Sequence, residues 1–213
     1  MVNIYLVLLI FMIVLSFEGI KVCNRSSPHK IKIFANIVYV LVFFRFLSLM
    51  LLFFASDLKY LFVLKPIFFI NYLAIIAVAL TVIYIFIRND KINFTYAFFV
   101  LGIFAVIYSI MIYKCSSFII TNTIYGYITE FYNFRYVNFG YFLLMACVMI
   151  IILTKYDKFR DKFGINICIG AVLMTLLELS FSILNIRIFP HIILSDICWV
   201  FVLNYAISKF KKS

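Results

Sequence analysis

Residues 38–54 read VYVLVFFRFLSLMLLFF, an apolar run interrupted by one arginine, Arg45. A guanidinium does not lose its proton in a protein. At the centre of a bilayer one such charge costs at least about 2.5–3.5 kcal/mol. It can be held there by a carboxylate in two parallel hydrogen bonds, or it can wait for a ligand. Three acids fall in or near apolar runs and are the candidates for that chemistry: Glu18, Glu178 and Asp196.

The elements that must position these groups follow from composition. Hydrophobic residues make up 67% of the 213, the mean hydropathy is +1.18, and only 13% are charged. This is a polytopic membrane protein, with no stretch left over for a separate soluble domain. Seven segments come close to the roughly 20 apolar residues that cross the hydrocarbon. They are 3–20, 33–54, 66–87, 94–113, 136–154, 165–185 and 188–207, and the expected fold is a single all-α domain over 1–213, a bundle of seven transmembrane helices. The first segment lacks a basic leader and a small-residue cleavage site, so it reads as a retained helix. Pro66 and Pro190 read as helix-start residues.

The net charge of +11 reads as topology signal rather than as an invitation to nucleic acid. With the amino terminus outside, 13 of the 19 Lys and Arg lie on the cytoplasmic side and five outside, Arg45 being the last. The expectation is therefore amino terminus out and carboxyl terminus in, in the cell membrane. A basic inner face of this kind also attracts anionic headgroups.

Depth then ranks the acids. Arg45 lies about 18 Å into the second helix, at 1.5 Å per residue. Glu178 lies about 20 Å into the sixth helix from the same side, and Asp196 about 12 Å into the seventh from the other. Glu18 closes the first helix near Lys21 and is too shallow. The economical arrangement is an Arg45–Glu178 or an Arg45–Asp196 pair, leaving one acid to be protonated or to meet a cation or a ligand amine. The alternative is a pair that only fixes helix packing. Asn71, Asn185, Arg187, His191 and Asn204 add polar groups, each of which also suits interhelical hydrogen bonding. The candidate charge network or ligand site comprises Arg45, Glu178, Asp196, Asn71 and Trp199.

The fourth loop, KCSSFIITNTIYGYITEFYNFRY, is too aromatic for a solvated linker. It predicts an interfacial helix or a lid over the outer mouth, or a belt at the headgroups. Other chemistries find no residues. There is no HExxH, GxSxG or phosphate-binding glycine loop, and no lysine stands mid-way in the last helix. The five cysteines and two histidines show no metal or disulfide spacing, so no cofactor is expected. Cys147, Cys168 and Cys198 read as small buried hydrophobes. NRS at 24–26 and NFT at 93–95 match the glycosylation sequon on the cytoplasmic side and read as chance.

Two stretches, KPIFFINYLAIIAVALTVIYIFIRNDKINF at 65–94 and ILSDICWVFVLNYAISKFKKS at 193–213, resemble the seven-helix sensor modules that precede kinase or cyclase domains in bacteria. The first looks like that group's Pro-started third helix, the second like its last helix running into a basic stub. The resemblance implies an external signal and a cytoplasmic output. This chain has no kinase histidine box and ends about six residues past the last span, so the expected output runs through a separate cytoplasmic signalling protein. The abundance of Ile, Phe, Lys, Asn and Tyr suits a low-GC bacterium.

The expected function is a stand-alone sensor or accessory signalling protein, not an enzyme, that binds a small or lipidic ligand near Arg45, Glu178 and Asp196. A small transporter or channel subunit is the alternative, although long repeats and Gly-rich broken helices are missing. An intramembrane lipid-modifying enzyme using His191 and Asp196 is a third; their spacing of five does not stack them on one helix face. Partners are thus the bilayer, a ligand and a signalling protein, with no nucleic acid; the oligomeric state is open.

Overall fold

The computed structural model describes residues 2–55, 61–87, 94–122, 125–159, 161–186 and 189–212. Arg187 and the asparagine of the second sequon, Asn93, lie outside them.

Helices α1 (Val2–Ser26) and α2 (His29–Phe54) form an antiparallel pair that turns at Ser27 and Pro28. Both run further than hydropathy predicts, because Lys, Arg and Asn need not end a helix once their side chains reach solvent. The stretch KVCNRSSPHKIK is therefore mostly helical, and Glu18 sits two turns inside α1 on an exposed face rather than at its end. The pair packs closely at Gly19, where a Cβ would lie 2.3 Å from the Tyr39 ring.

The third span is not one helix. A single turn, α3 (Lys65–Phe68), precedes α4 (Asn71–Ile87). Between them the Tyr72 N–H, which in a continuous α-helix serves Phe68, donates to the carbonyl of Phe69 at 3.2 Å. Pro66 does stand in the first turn, but no polar residue marks the break, so hydropathy reads through it. Helix α5 (Thr95–Lys114) packs chiefly on α4, and none of its residues is buried. Lys65 Nζ donates to the carbonyls of Ile112 and Cys115 at 2.8 and 2.6 Å, a cation closing the C-terminal end of α5.

The fourth loop is not a helix. It forms an antiparallel hairpin, β1 (Ser117–Asn122) and β2 (Gly126–Phe131), registered from Ser117 opposite Phe131 to Asn122 opposite Gly126. Its Ile, Thr, Phe and Tyr are strand formers. Gly126 has φ of 73°, and a Cβ there would meet the Phe53 carbonyl at 2.8 Å, so the turn needs glycine on both counts.

Helix α6 (Phe134–Thr154) leads through a 3-10 turn at Tyr156–Lys158 into α7 (Lys162–Ile183). Asp161 caps α7 by accepting from the Gly164 N–H at 3.1 Å. At the far end Asn185 takes the left-handed conformation, φ 61°, and the Ile186 N–H donates back to Phe181 at 2.9 Å. Asn185 thus terminates α7. The last helix, α8 (Leu194–Ser208), starts six residues after the expected 188, leaving Pro190 and His191 in the connection. It is about 22 Å long, and it packs on α1, α4 and α7.

Six helices are long and apolar enough to cross a membrane, with α3 and α4 counted together, and α8 is a shorter apolar seventh. The core centres on α8, where Trp199, Val200, Leu203 and Ala206 are fully buried. Tyr39 of α2 donates to Asn204 Oδ1 and fastens α8 from the other side. All five cysteines are free; Cys168 is buried, but Cys147 faces outward from α6 and Cys198 is half-buried.

Candidate functional site

Helix α2 carries Arg45 to the middle of the bundle, where it is 4% exposed. One guanidinium nitrogen, Nη1, donates to the carbonyl of Phe68, the residue that ends α3. The broken third span thus supplies an acceptor that a continuous helix would have used itself. The guanidinium also lies over the Phe68 ring, 4.8 Å from its centre, a favourable cation–π placement.

The carboxylate beside Arg45 is that of Asp196, in the first turn of α8. Arg45 Nε and Asp196 Oδ2 are 4.0 Å apart, and Asp196 is 2% exposed. A charge-assisted hydrogen bond measures about 2.7–2.9 Å, so the two groups attract without touching. Arg45 Nε and both oxygens of Asp196 have no hydrogen-bond partner among the described residues. Buried charges in that condition are costly. The same holds for Asn71 Oδ1 and the Tyr141 hydroxyl. Tyr141 packs edge-on against Tyr72, with ring centroids 5.0 Å apart.

Glu178, the other acid of matching depth, is engaged elsewhere. Its Oε1 accepts from the backbone N–H groups of Ile193 and Leu194 at 3.0 and 3.2 Å, and Oε2 from that of Ser195 at 2.8 Å. It caps α8 from a neighbouring helix. A carboxylate there satisfies N–H groups that no helix can serve internally and complements the positive end of the dipole. Trp199 Nε1 donates to Thr175 Oγ1 at 2.9 Å, a second tie between α7 and α8. Trp199 packs there and lines none of the cavities described here.

Above Arg45 opens a cavity of about 60 Å³, room for a few waters. Arg45, Asn71, Asn138, Ser182, His191 and the hairpin residues Thr129–Phe131 line it. Asn138 accepts from the Tyr72 hydroxyl at 2.6 Å and donates to Ser182 at 2.9 Å, linking α4, α6 and α7. The hairpin covers this chamber, held by aromatic contacts. Phe131 stacks on Phe69 with centroids 3.8 Å apart, and Tyr125 meets Tyr5 edge-on at 5.4 Å. His191 packs edge-on against Phe68, at 4.9 Å.

Of the residues singled out in the sequence, Arg45, Asp196 and Asn71 come together, whereas Glu178 and Trp199 bind α7 to α8. Asn204 and Asn185 serve packing and helix termination. Missed altogether were the Phe68 carbonyl, Tyr141 and Ser182, whereas Thr129–Phe131 belong to the fourth loop, which the sequence offered as a lid. Asn138, a lone amide two residues into an apolar run, was the signal available. Compared with protein-family models, curated proteins and solved structures, the chain matches none.

Proposed function

We propose that this chain is a multi-pass membrane protein that binds a small polar ligand in the chamber beneath the hairpin and reports its presence to a cytoplasmic protein. The observation that carries the reading is the open geometry of the buried pair. Arg45 Nε offers a donor, Asp196 offers two acceptors, and they stand 4.0 Å apart, with Arg45 on the wall of the cavity and Asp196 behind it. A ligand that joins them gains two charge-assisted hydrogen bonds.

The same positions suggest how occupancy travels. Asp196 lies in the first turn of α8, and Glu178 holds that turn against α7. The far end of α8 leads to Lys209, which is 2.9 Å from Asp161 at the start of α7. A displacement at Asp196 is thus carried along one short rigid helix to the basic end. The concentration of Lys and Arg on that side supports a cytoplasmic position for that end. The ligand shifts this equilibrium only by its differential affinity for the two states. The resemblance to bacterial sensor modules supports the same direction of signalling.

The test is thermal unfolding of the chain in nanodiscs against a panel of small amides, alcohols, carboxylates and amines. A ligand at 100 times its Kd adds about 2.7 kcal/mol. One class of solute raises the midpoint of the native chain and leaves Asp196→Asn unmoved. A panel that moves both chains equally, or neither, sinks the proposal. The broken third span favours one other reading, a transporter, since interrupted helices line pathways; uptake of the stabilising solute into proteoliposomes would establish that instead.

A further inference from the structure

A second cavity, of about 250 Å³, opens between α4, α5 and α6. Its wall is apolar and aromatic, with Tyr72, Phe104, Ile107, Met111, Tyr141 and Leu144 among its residues and Gly140 on the α6 side. An apolar cavity of 150 Å³ already takes up a benzene-sized molecule. Its outer wall is α5, the helix with no buried residue, so the slot lies at the edge of the bundle.

Two observations tie this slot to the chamber. Tyr72 lines both cavities, with its hydroxyl on Asn138 of the chamber wall. Tyr141 lines the slot, is buried, carries a hydroxyl with no hydrogen-bond partner among the described residues, and packs edge-on against Tyr72 with ring centroids 5.0 Å apart. The wall of an apolar slot therefore carries an unused hydroxyl next to Tyr72, the residue that the slot shares with the chamber.

We infer that one ligand occupies both cavities: a single-chain amphiphile whose alkyl tail fills the α4–α5–α6 slot and whose neutral, hydrogen-bonding head sits between Arg45 and Asp196. This rests on the chamber reading above and names its ligand class. The head is neutral because the pair presents a donor and acceptors side by side. A free carboxylate would bring a negative charge against Asp196, and an ammonium a positive one against Arg45. An amide or a hydroxyl head gives a donor to Asp196 and an acceptor to Arg45 and repels neither.

The experiment uses decanamide with a diazirine at its tail end, photo-crosslinked to the chain in nanodiscs and mapped by peptide mass spectrometry. Labelling falls on α5 and α6, around Ile107, Met111 and Leu144. Unlabelled decanamide competes at least ten-fold better than decanoate or decylamine. Gly140→Leu is the blocking variant: Gly140 lines the slot, and a Cβ there meets nothing within 4 Å, so the helices tolerate the leucine. It lowers labelling at least ten-fold, while Asp196→Asn reduces the preference for the amide over the charged heads. If Gly140→Leu is labelled like the native chain but Asp196→Asn loses the preference, the tail site is wrong and the chamber reading survives. If labelling is lost in Gly140→Leu yet is indifferent to head chemistry and to Asp196→Asn, the slot holds only bulk lipid. The single-ligand inference then falls, while the chamber reading stands or falls on the small-solute panel.

Discussion

At the scale of residues, the centre of the molecule is a charge pair that does not close. Removing one member of a buried pair leaves the other unpaired, at about 3–5 kcal/mol. Arg45→Leu and Asp196→Leu are each expected to cost that much in a denaturant titration in detergent. The double variant regains part of the loss, with a coupling of about 1–3 kcal/mol. Strict additivity would mean that the two groups do not sense each other. Arg45→Leu with Glu178→Leu is the contrasting pair and adds without coupling, since Glu178 serves α8. Glu178→Ala alone costs about 1–2 kcal/mol, as the loss of a cap does. It also speeds hydrogen exchange at the amides of 193–195; unchanged protection there would refute the cap. Depth along the apolar runs was enough to shortlist both acids from the sequence. It did not tell them apart, because Glu178's function depends on where α8 begins, and hydropathy set that six residues early. Glycine, proline and charge mark boundaries in a sequence; a helix start served by another helix leaves no local mark.

At the scale of elements, α7 and α8 are clamped at both ends, by Glu178 at one and by Asp161 with Lys209 at the other. Burial raises the Asp161 pKa, but the hydrogen bonds from Lys209 and the Gly164 N–H outweigh it and leave the carboxyl below its usual value. The hydrogen bonds with Tyr205 and Asp161 raise that of Lys209. Asp161 binds its proton less tightly folded than unfolded, so its contribution is complete above about pH 4 and fades as pH falls through the folded value. Lys209's contribution is complete below its unfolded pKa and is lost as pH rises through the raised one. Native chain and Asp161→Asn should therefore differ in unfolding midpoint at neutral pH and converge in acid. A gap that persists at low pH would show that the clamp owes nothing to this charge. The hairpin and the α3–α4 break were the least legible elements. The hairpin's strand-forming residues and its Gly126 turn were in plain view, but an aromatic loop between two apolar runs reads as an interfacial helix. The break carries no residue signature, because its cost is met by Arg45 from another helix.

At the scale of the whole molecule, the apolar helices were legible almost throughout, since span length and composition are set by physics that needs no partner. The uncertain span was the last, whose first residues are a connection and whose helix is only 15 residues long. The proposed orientation has a direct test. Tyr132→Cys, in the turn after the hairpin, should react with an impermeant maleimide on intact cells, and Lys158→Cys, in the 3-10 turn, only after permeabilisation. Cys115 and Cys147 are replaced by serine in both chains to remove background. The reverse pattern would turn the molecule over and place the chamber in the cytoplasm. Helix α5, with Phe99, Val106, Ile107 and Tyr113 all more than half exposed, is the face that lipid or a second protein must cover.

Trp199 is the chain's one tryptophan, and it is fully buried in the seam between α7 and α8. Its indole lies one turn along the helix from Asp196, with its N–H on Thr175. All of the protein's indole emission therefore comes from a single dry environment, and its natural colour is at the blue end of the range. Parting of α7 from α8 lets water reach that ring, and the spectrum moves to the red. The molecule is built with its own dye at the joint between its last two helices.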